Sequence, residues 1–287
     1  MNHKGILIAL VLIISLLGIL ASATGVFSTD DKSAYEYQSI RGKTVLIYGK
    51  GIYKDMSDEV APQGIAQDYV TLFLAVPFLL ISLIFSLKGS IRWRMFHTGV
   101  LAYFLVTYLF YLTMGMYNSL YIVYVLLLST SFFAFIINLF SFNPDVYASR
   151  FSSKLPHRLL GSFLLFASIN IAFLWLSIII KPLMDGSIIP ESVEHYTTLI
   201  VQGLDLALLL PMGFISGLML IRKKALGYIF SHVYFVFLSF LMTALVAKII
   251  AMGMRGSNII PVIFIIPVFD IFSICCAVTM FKNYKES

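Results

Sequence analysis

Long stretches without a charged side chain alternate with short polar punctuation along this chain. Eight runs of mostly apolar positions stand out, at residues 5–24, 69–87, 99–116, 120–142, 159–180, 198–221, 227–254 and 259–281. A helix rising 1.5 Å per residue needs roughly 20 such positions to cross about 30 Å of hydrocarbon. Lipid cannot satisfy an open backbone, so only helices or a closed barrel cross it. The runs are continuous and lack the two-residue alternation of a barrel strand. The pattern predicts an all-α, polytopic transmembrane helix bundle of eight spans.

Composition removes the competing classes. Of 287 residues, 60% are hydrophobic and 12% charged, where a soluble domain carries about 25% charged. With a mean hydropathy of +0.93, a soluble enzyme, a disordered chain and a nucleic-acid-binding domain are all excluded. The net charge of +6 and pI near 9.2 come from basic residues in the loops, and those loops orient the bundle. With a cytoplasmic amino terminus, Lys4, Lys88, Arg92, Arg94, Arg150, Lys154, Arg158, Arg222, Lys223, Lys224, Lys282 and Lys285 are all inside, with Asp145 and Glu286. The outer side then carries seven basic residues, Lys32 among them, against ten acids. Lys and Arg are retained on the cytoplasmic side during insertion, so both termini are expected inside, in a multi-pass protein of the prokaryotic cytoplasmic (cell) membrane.

Residues 1–24 read as a first span or as a signal peptide ending at Ala21-Ser22-Ala23; the apolar run exceeds the usual core of about 7–15 residues, which favours a retained span. Residues 25–68 form the one sizeable water-facing piece, with five basic and seven acidic side chains. Within it, residues 44–48 and 51–53 flank Gly49-Lys50 and predict a small β-hairpin cap. Residues 69–287 make up the remaining seven-helix bundle. No internal repeat of spans is apparent, and the Gly/Pro-interrupted helix pair typical of duplicated transporters has no counterpart across the two halves.

Charges inside the hydrocarbon are the main chemical signal. Each costs at least about 2.5–3.5 kcal/mol and is kept facing the bundle interior or water. Asp205 lies ~10 Å inward from the outer end of the sixth run and Lys248 ~9 Å inward on the seventh, by the helical rise. If those helices are neighbours, a carboxylate and an ammonium meet at one level, with Gln202 one turn before Asp205 on the same face. Asp270 falls near the midplane by the same rise, with Ser273 one turn on and Pro267 one turn back. These four are the candidate substrate- or ion-binding residues; a buried structural pair is the competing reading. No helical metal spacing, catalytic motif or C-x-x-C occurs, Cys275 and Cys276 read as packing residues, and His97, His157 and His232 as interfacial side chains. No metal, cofactor or catalytic residue is therefore expected, and an enzyme ranks last.

The Tyr48-Gly-Lys-Gly-Ile-Tyr53 segment, Gln67-Asp68 and Tyr117-Asn118 together resemble features of uncharacterised prokaryotic multi-span integral membrane proteins. That resemblance implies location and fold; no activity follows from it. Two functional expectations stand: a transporter or permease for a small solute or ion using an outward-facing acidic/basic cluster, or a non-catalytic sensor or assembly protein engaging a protein partner through residues 25–68. The lipid bilayer is the common partner, and nucleic acid is not one.

Overall fold

The computed structural model describes residues 4–30 and 33–286; Lys32 lies outside them. Among the described residues, eight helices are long and apolar enough to cross a bilayer: Lys4–Phe27, Ala61–Leu87, Ile91–Met114, Tyr121–Leu139, His157–Asp185, Ile200–Ile221, Ala225–Met254 and Val262–Asn283. We call them the first to eighth spans. Each apolar run has its helix, and the chain is an integral, multi-pass, helical membrane protein with one small sheet.

Two spans begin well before their apolar runs. The second starts at Ala61 instead of residue 69, which draws Gln67 and Asp68 into the helix; the third starts at Ile91 and takes in Arg92, Arg94 and His97. Hydropathy ends a run at its first charge, whereas a helix needs only its start signals. Those signals are Pro62 in the first turn of the second span and the Ser90 side chain accepting from Trp93 N at the third, both favoured at helix starts.

The face at which the eighth span ends is the tail face. On this tail face Tyr284 stacks on Tyr147 of the short helix Pro144–Ser149, centroids 4.7 Å apart. The other side carries the cap. Strands β1, Tyr35–Gln38, and β2, Thr44–Ile47, pair antiparallel with Tyr35 opposite Ile47. A hairpin is present, but its second partner differs from the one expected. Residues 51–53 form a single 3-10 turn, because Gly49 and Gly51 adopt φ of 76° and 57° and turn the chain away from strand geometry. β2 buries Val45 and Ile47 and exposes their neighbours, the alternation of a half-covered strand.

The third span is the most enclosed, 67% of its core window being buried, against 17% for the fifth and eighth spans. The third and seventh spans cross at the centre; the second touches the first, third and seventh, and the sixth touches the fifth and seventh. The sixth–seventh contact on which the Asp205–Lys248 expectation depended is present.

The two halves of the bundle repeat one plan, correcting the expectation of no repeat. In the second span a five-residue π segment, Thr71–Ala75, is followed one residue later by Pro77; in the sixth, Asp205–Leu209 is followed in the same way by Pro211. After that break the buried positions are Val76, Leu79, Ser82, Leu83 and Ser86 in one span and Leu210, Gly213, Ser216, Gly217 and Leu220 in the other, at identical spacing. The turns that follow also match. Ser90 N donates to Phe85 O at 3.3 Å and Lys224 N to Met219 O at 2.9 Å, and Gly89 and Lys223 occupy the same positive-φ position at 99° and 54°. In the first span Leu7, Val11, Ile14 and Ser15 are buried; in the fifth Leu160, Leu164, Ala167 and Ser168 are, again at identical spacing. In this correspondence Gly99 of the third span matches Val233 of the seventh. A Cβ at Gly99 would lie 3.0 Å from Val233 O and collide with Val236. A tight contact between the halves therefore involves equivalent positions of the third and seventh spans.

Candidate functional site

The site is assembled where the two halves meet, in the half of the bundle nearer the cap. Its first component comes from the Gly-Lys-Gly-Ile-Tyr segment. A Cβ at Gly51 would run into Ser28 O, so only glycine lets the loop lie against the end of the first span. There Ile52 N donates to Ser28 Oγ at 2.9 Å and Gly51 N to Asp30 Oδ1 at 3.1 Å. Clamped in this way, the 3-10 turn sends the Tyr53 ring down into the bundle. The ring passes over Gly64, where a Cβ would be 2.8 Å away.

Tyr53 ends on Asp68. Its hydroxyl donates to Asp68 Oδ2, and the Tyr111 hydroxyl reaches Asp68 Oδ1 at 2.9 Å and Gly64 O at 3.1 Å. The first span opposes the carboxylate with Gly25, where a Cβ would overlap it. Asp68 is only 2% exposed and needs such partners, because an unpaired buried charge is prohibitively costly. Burial, and then the charge of Asp68, push the Tyr53 phenol well above its ordinary value, keeping it a neutral donor. One turn before Thr71, Gln67 Nε2 donates to Tyr103 Oη at 2.7 Å, and Thr71 Oγ1 meets the same hydroxyl at 2.9 Å. A polar layer thus lies directly before the π segment of the second span.

The sixth span supplies its share at the matching break. Asp205 opens the π segment, and its Oδ2 accepts the Trp175 indole N–H at 2.8 Å. Below it Tyr234 of the seventh span donates to Leu209 O at 3.0 Å, satisfying a carbonyl in the irregular stretch. Lys248 comes from the seventh span and lies within electrostatic reach of both Asp205 and Asp68. A helical side chain leans toward its helix N-terminus, here toward the tail face and the depth of Asp205. The ion pair expected between them is not closed: the salt bridges among the described residues are Arg92–Glu286 and Arg255–Asp58. Trp175 has taken one carboxylate oxygen instead. Gln202 keeps its place one turn before Asp205, half-buried.

Asp270 stands apart. Its carboxylate accepts from Thr243 Oγ1 at 3.2 and 3.3 Å, and Ser273 bonds the Asp270 carbonyl instead of the carboxylate. Thr243 lies five residues before Lys248, about 140° around the helix, so Asp270 addresses a different face of the seventh span. The histidines are also placed differently from expectation. His97 and His232 are fully buried and held by Ser82 and Tyr147 at 2.8 and 2.7 Å.

Above the cluster, on the cap face, a cavity of about 390 Å³ is lined by Val45, Asp58, Glu59, Glu194, Met252 and Arg255 among others. Met252 lies one turn outward from Lys248 on the same helix face. Its rim joins equivalent loops of the two halves: Arg41 donates to Tyr196 O at 2.8 Å and to Thr197 O at 3.1 Å, and Tyr196 Oη accepts from Ser57 N at 3.2 Å.

No family model, curated protein or solved structure matches this chain. Its function is argued from the site.

Sequence reasoning singled out Asp205, Lys248 and Gln202, and the structure brings their spans together; it assigned Asp68 to the water-facing loop and Tyr53 to the hairpin, and set Tyr111 on one face with Tyr103 and Asn118, either as packing or as a hydroxyl-lined wall opposite Asp205. The available signal was the pair of short motifs around Tyr53 and Gln67-Asp68, segments that meet at the Asp68 carboxylate.

Proposed function

We propose that this protein is a transporter or permease-like protein of the cytoplasmic membrane for a small solute or ion, with the cap face extracytoplasmic and both termini inside. Asp205, Lys248 and Gln202 form the binding site under the cavity. Asp68, locked by Tyr53 and Tyr111, holds the opposing wall and couples it to the cap, and Asp270 forms a separate acidic site deeper in the bundle. One observation carries the reading. The two halves interrupt equivalent helices at equivalent positions, and a carboxylate stands at or one turn before each break, Asp68 buried and Asp205 half-buried. Transporters built from repeats bind at the repeat interface, where discontinuous helices expose polar groups. An open arrangement of Asp68, Lys248 and Asp205 also fits a ligand site better than a register-fixing pair, which gains its stability by closing.

The test is flux through the purified full chain in proteoliposomes, followed by a lumenal pH dye and by osmotic swelling in glycine, acetate, methylammonium and urea. Flux of at least one solute or of protons is expected, and it falls with Lys248→Met, Asp205→Asn and Asp270→Asn variants that elute as folded protein. Absence of any flux, or variants that lose folded protein but not specific flux, assigns the charges a structural role.

A further inference from the structure

We propose that the gap between Lys248 and Asp205 binds a small zwitterion, a molecule carrying one ammonium and one carboxylate a few bonds apart. The inference deepens the transport reading and rests on it for the choice of site, but binding itself is measured separately.

Polar groups at this gap have hydrogen-bonding capacity that the protein leaves unmet. Lys248 carries three N–H donors, and none finds a protein acceptor among the described residues, since neither salt bridge involves it. Its nitrogen is nevertheless not sealed, being absent from the shielded, unpartnered polar atoms, which include Tyr108 Oη and His97 Nε2. Asp205 spends Oδ2 on Trp175 and leaves Oδ1 without a donor. The half-buried Gln202 amide one turn away is likewise unspent. The Asp68 carboxylate does not compete for a ligand, because Tyr53 and Tyr111 occupy both of its oxygens. What remains to be satisfied is one positive and one negative group, held apart on neighbouring helices.

A simple anion would satisfy Lys248 but face Asp205, and a simple cation would do the reverse; like charges brought together in a dry interior oppose binding strongly. A zwitterion satisfies both at once. The Trp175 ring adds a second element of recognition. Its indole N–H holds one oxygen of the Asp205 carboxylate at 2.8 Å, so an ammonium pairing with that carboxylate would be brought close to an aromatic ring, which favours cations. The cavity above, with Asp58, Glu59 and Glu194 beside Lys43 and Arg255, also presents both signs along the approach.

Trp175 supplies the assay. The chain has two tryptophans, and the other, Trp93, packs against Phe85 and Phe281 near the tail face. In a Trp93→Phe background of the full chain in nanodiscs, Trp175 is the sole emitter. Titration with glycine or L-alanine is expected to change its emission saturably. Acetate and methylammonium should require at least about tenfold higher concentrations. Asp205→Asn and Lys248→Met should each weaken glycine binding by a similar factor or more, while Lys248→Arg retains it and guards against a folding artefact. The proposal is overturned if the zwitterions leave Trp175 silent, if acetate or methylammonium binds as well as glycine, or if the charge-removing variants bind normally. Saturable glycine binding without flux would refute transport alone; flux of another solute with Trp175 silent toward zwitterions would refute this proposal alone.

Discussion

Replacing Tyr53 by Phe is the sharpest perturbation of the junction, because it deletes one hydroxyl and leaves the ring over Gly64. Asp68 is 2% exposed and has the phenols of Tyr53 and Tyr111 as its side-chain partners, so the variant leaves a sheltered carboxylate oxygen unpaired. A hydrogen bond to a charged group contributes about 1.5–3 kcal/mol. At about 2–4 °C per kcal/mol for a chain of this size, the expected loss in thermal midpoint is roughly 3–12 °C. Cys276 is buried and Cys275 exposed, so a thiol-reactive fluorogenic dye in a Cys275→Ser background reports unfolding through Cys276. Tyr37→Phe, which alters an exposed cap tyrosine, is the control and should not move the midpoint. In an Asp68→Asn background the cost of Tyr53→Phe should shrink to that of a neutral hydrogen bond, about 0.5–1.5 kcal/mol. Equal midpoints for Tyr53→Phe and the control would refute the claim that the cap is anchored through Asp68. An unchanged cost in Asp68→Asn would show that ring packing, and not the carboxylate, holds the loop.

Two further outcomes follow from the same geometry. The matched turns predict opposite responses at equivalent positions: Gly89→Ala should destabilise by about 1–2 kcal/mol, the cost of a left-handed conformation for a residue with a Cβ, whereas Lys223→Gly should relieve that strain and raise the midpoint in the same thiol assay. The pH dependence has a definite sign. Tyr53 is held neutral in the folded state, its phenol pushed above the unfolded value of about 10. Its contribution is therefore complete below pH 10 and lost as the pH rises further, so Tyr53→Phe should flatten the alkaline fall in thermal midpoint relative to the parent.

The parts of the fold legible in the sequence are those governed by solvation. Each apolar run became a spanning helix because length and transfer energy act locally. The partly sheltered placement of Lys248 was legible for the same reason, since a charge within an apolar run has few places to go. Helix starts were less legible, because Pro62 and Ser90 act through backbone geometry that hydropathy does not register. Asp68 was lost with them: eight residues of early helix carried it from the water-facing segment into the bundle. The hairpin partner was missed because Gly49 and Gly51, which read as a turn, serve to clamp the loop against Ser28.

The repeat was the least legible feature. Among the matched positions a few coincide in residue type, Pro77 with Pro211, Ser82 with Ser216, Leu7 with Leu160 and Ser15 with Ser168, while most are filled by different side chains in the two halves. Gly99 opposite Val233 shows why. A close contact between the halves needs complementary shapes, so Gly99 leaves room for the Val236 side chain and the Val233 carbonyl, and likeness along the chain is lost. Hydropathy, acting residue by residue, determined that the chain crosses the membrane eight times and that a few charges must be sheltered. Only tertiary packing, which depends on the shape each side chain meets across a helix contact, decided that the two halves repeat one plan and that Asp68 is enclosed by Tyr53, Tyr111 and Gly25.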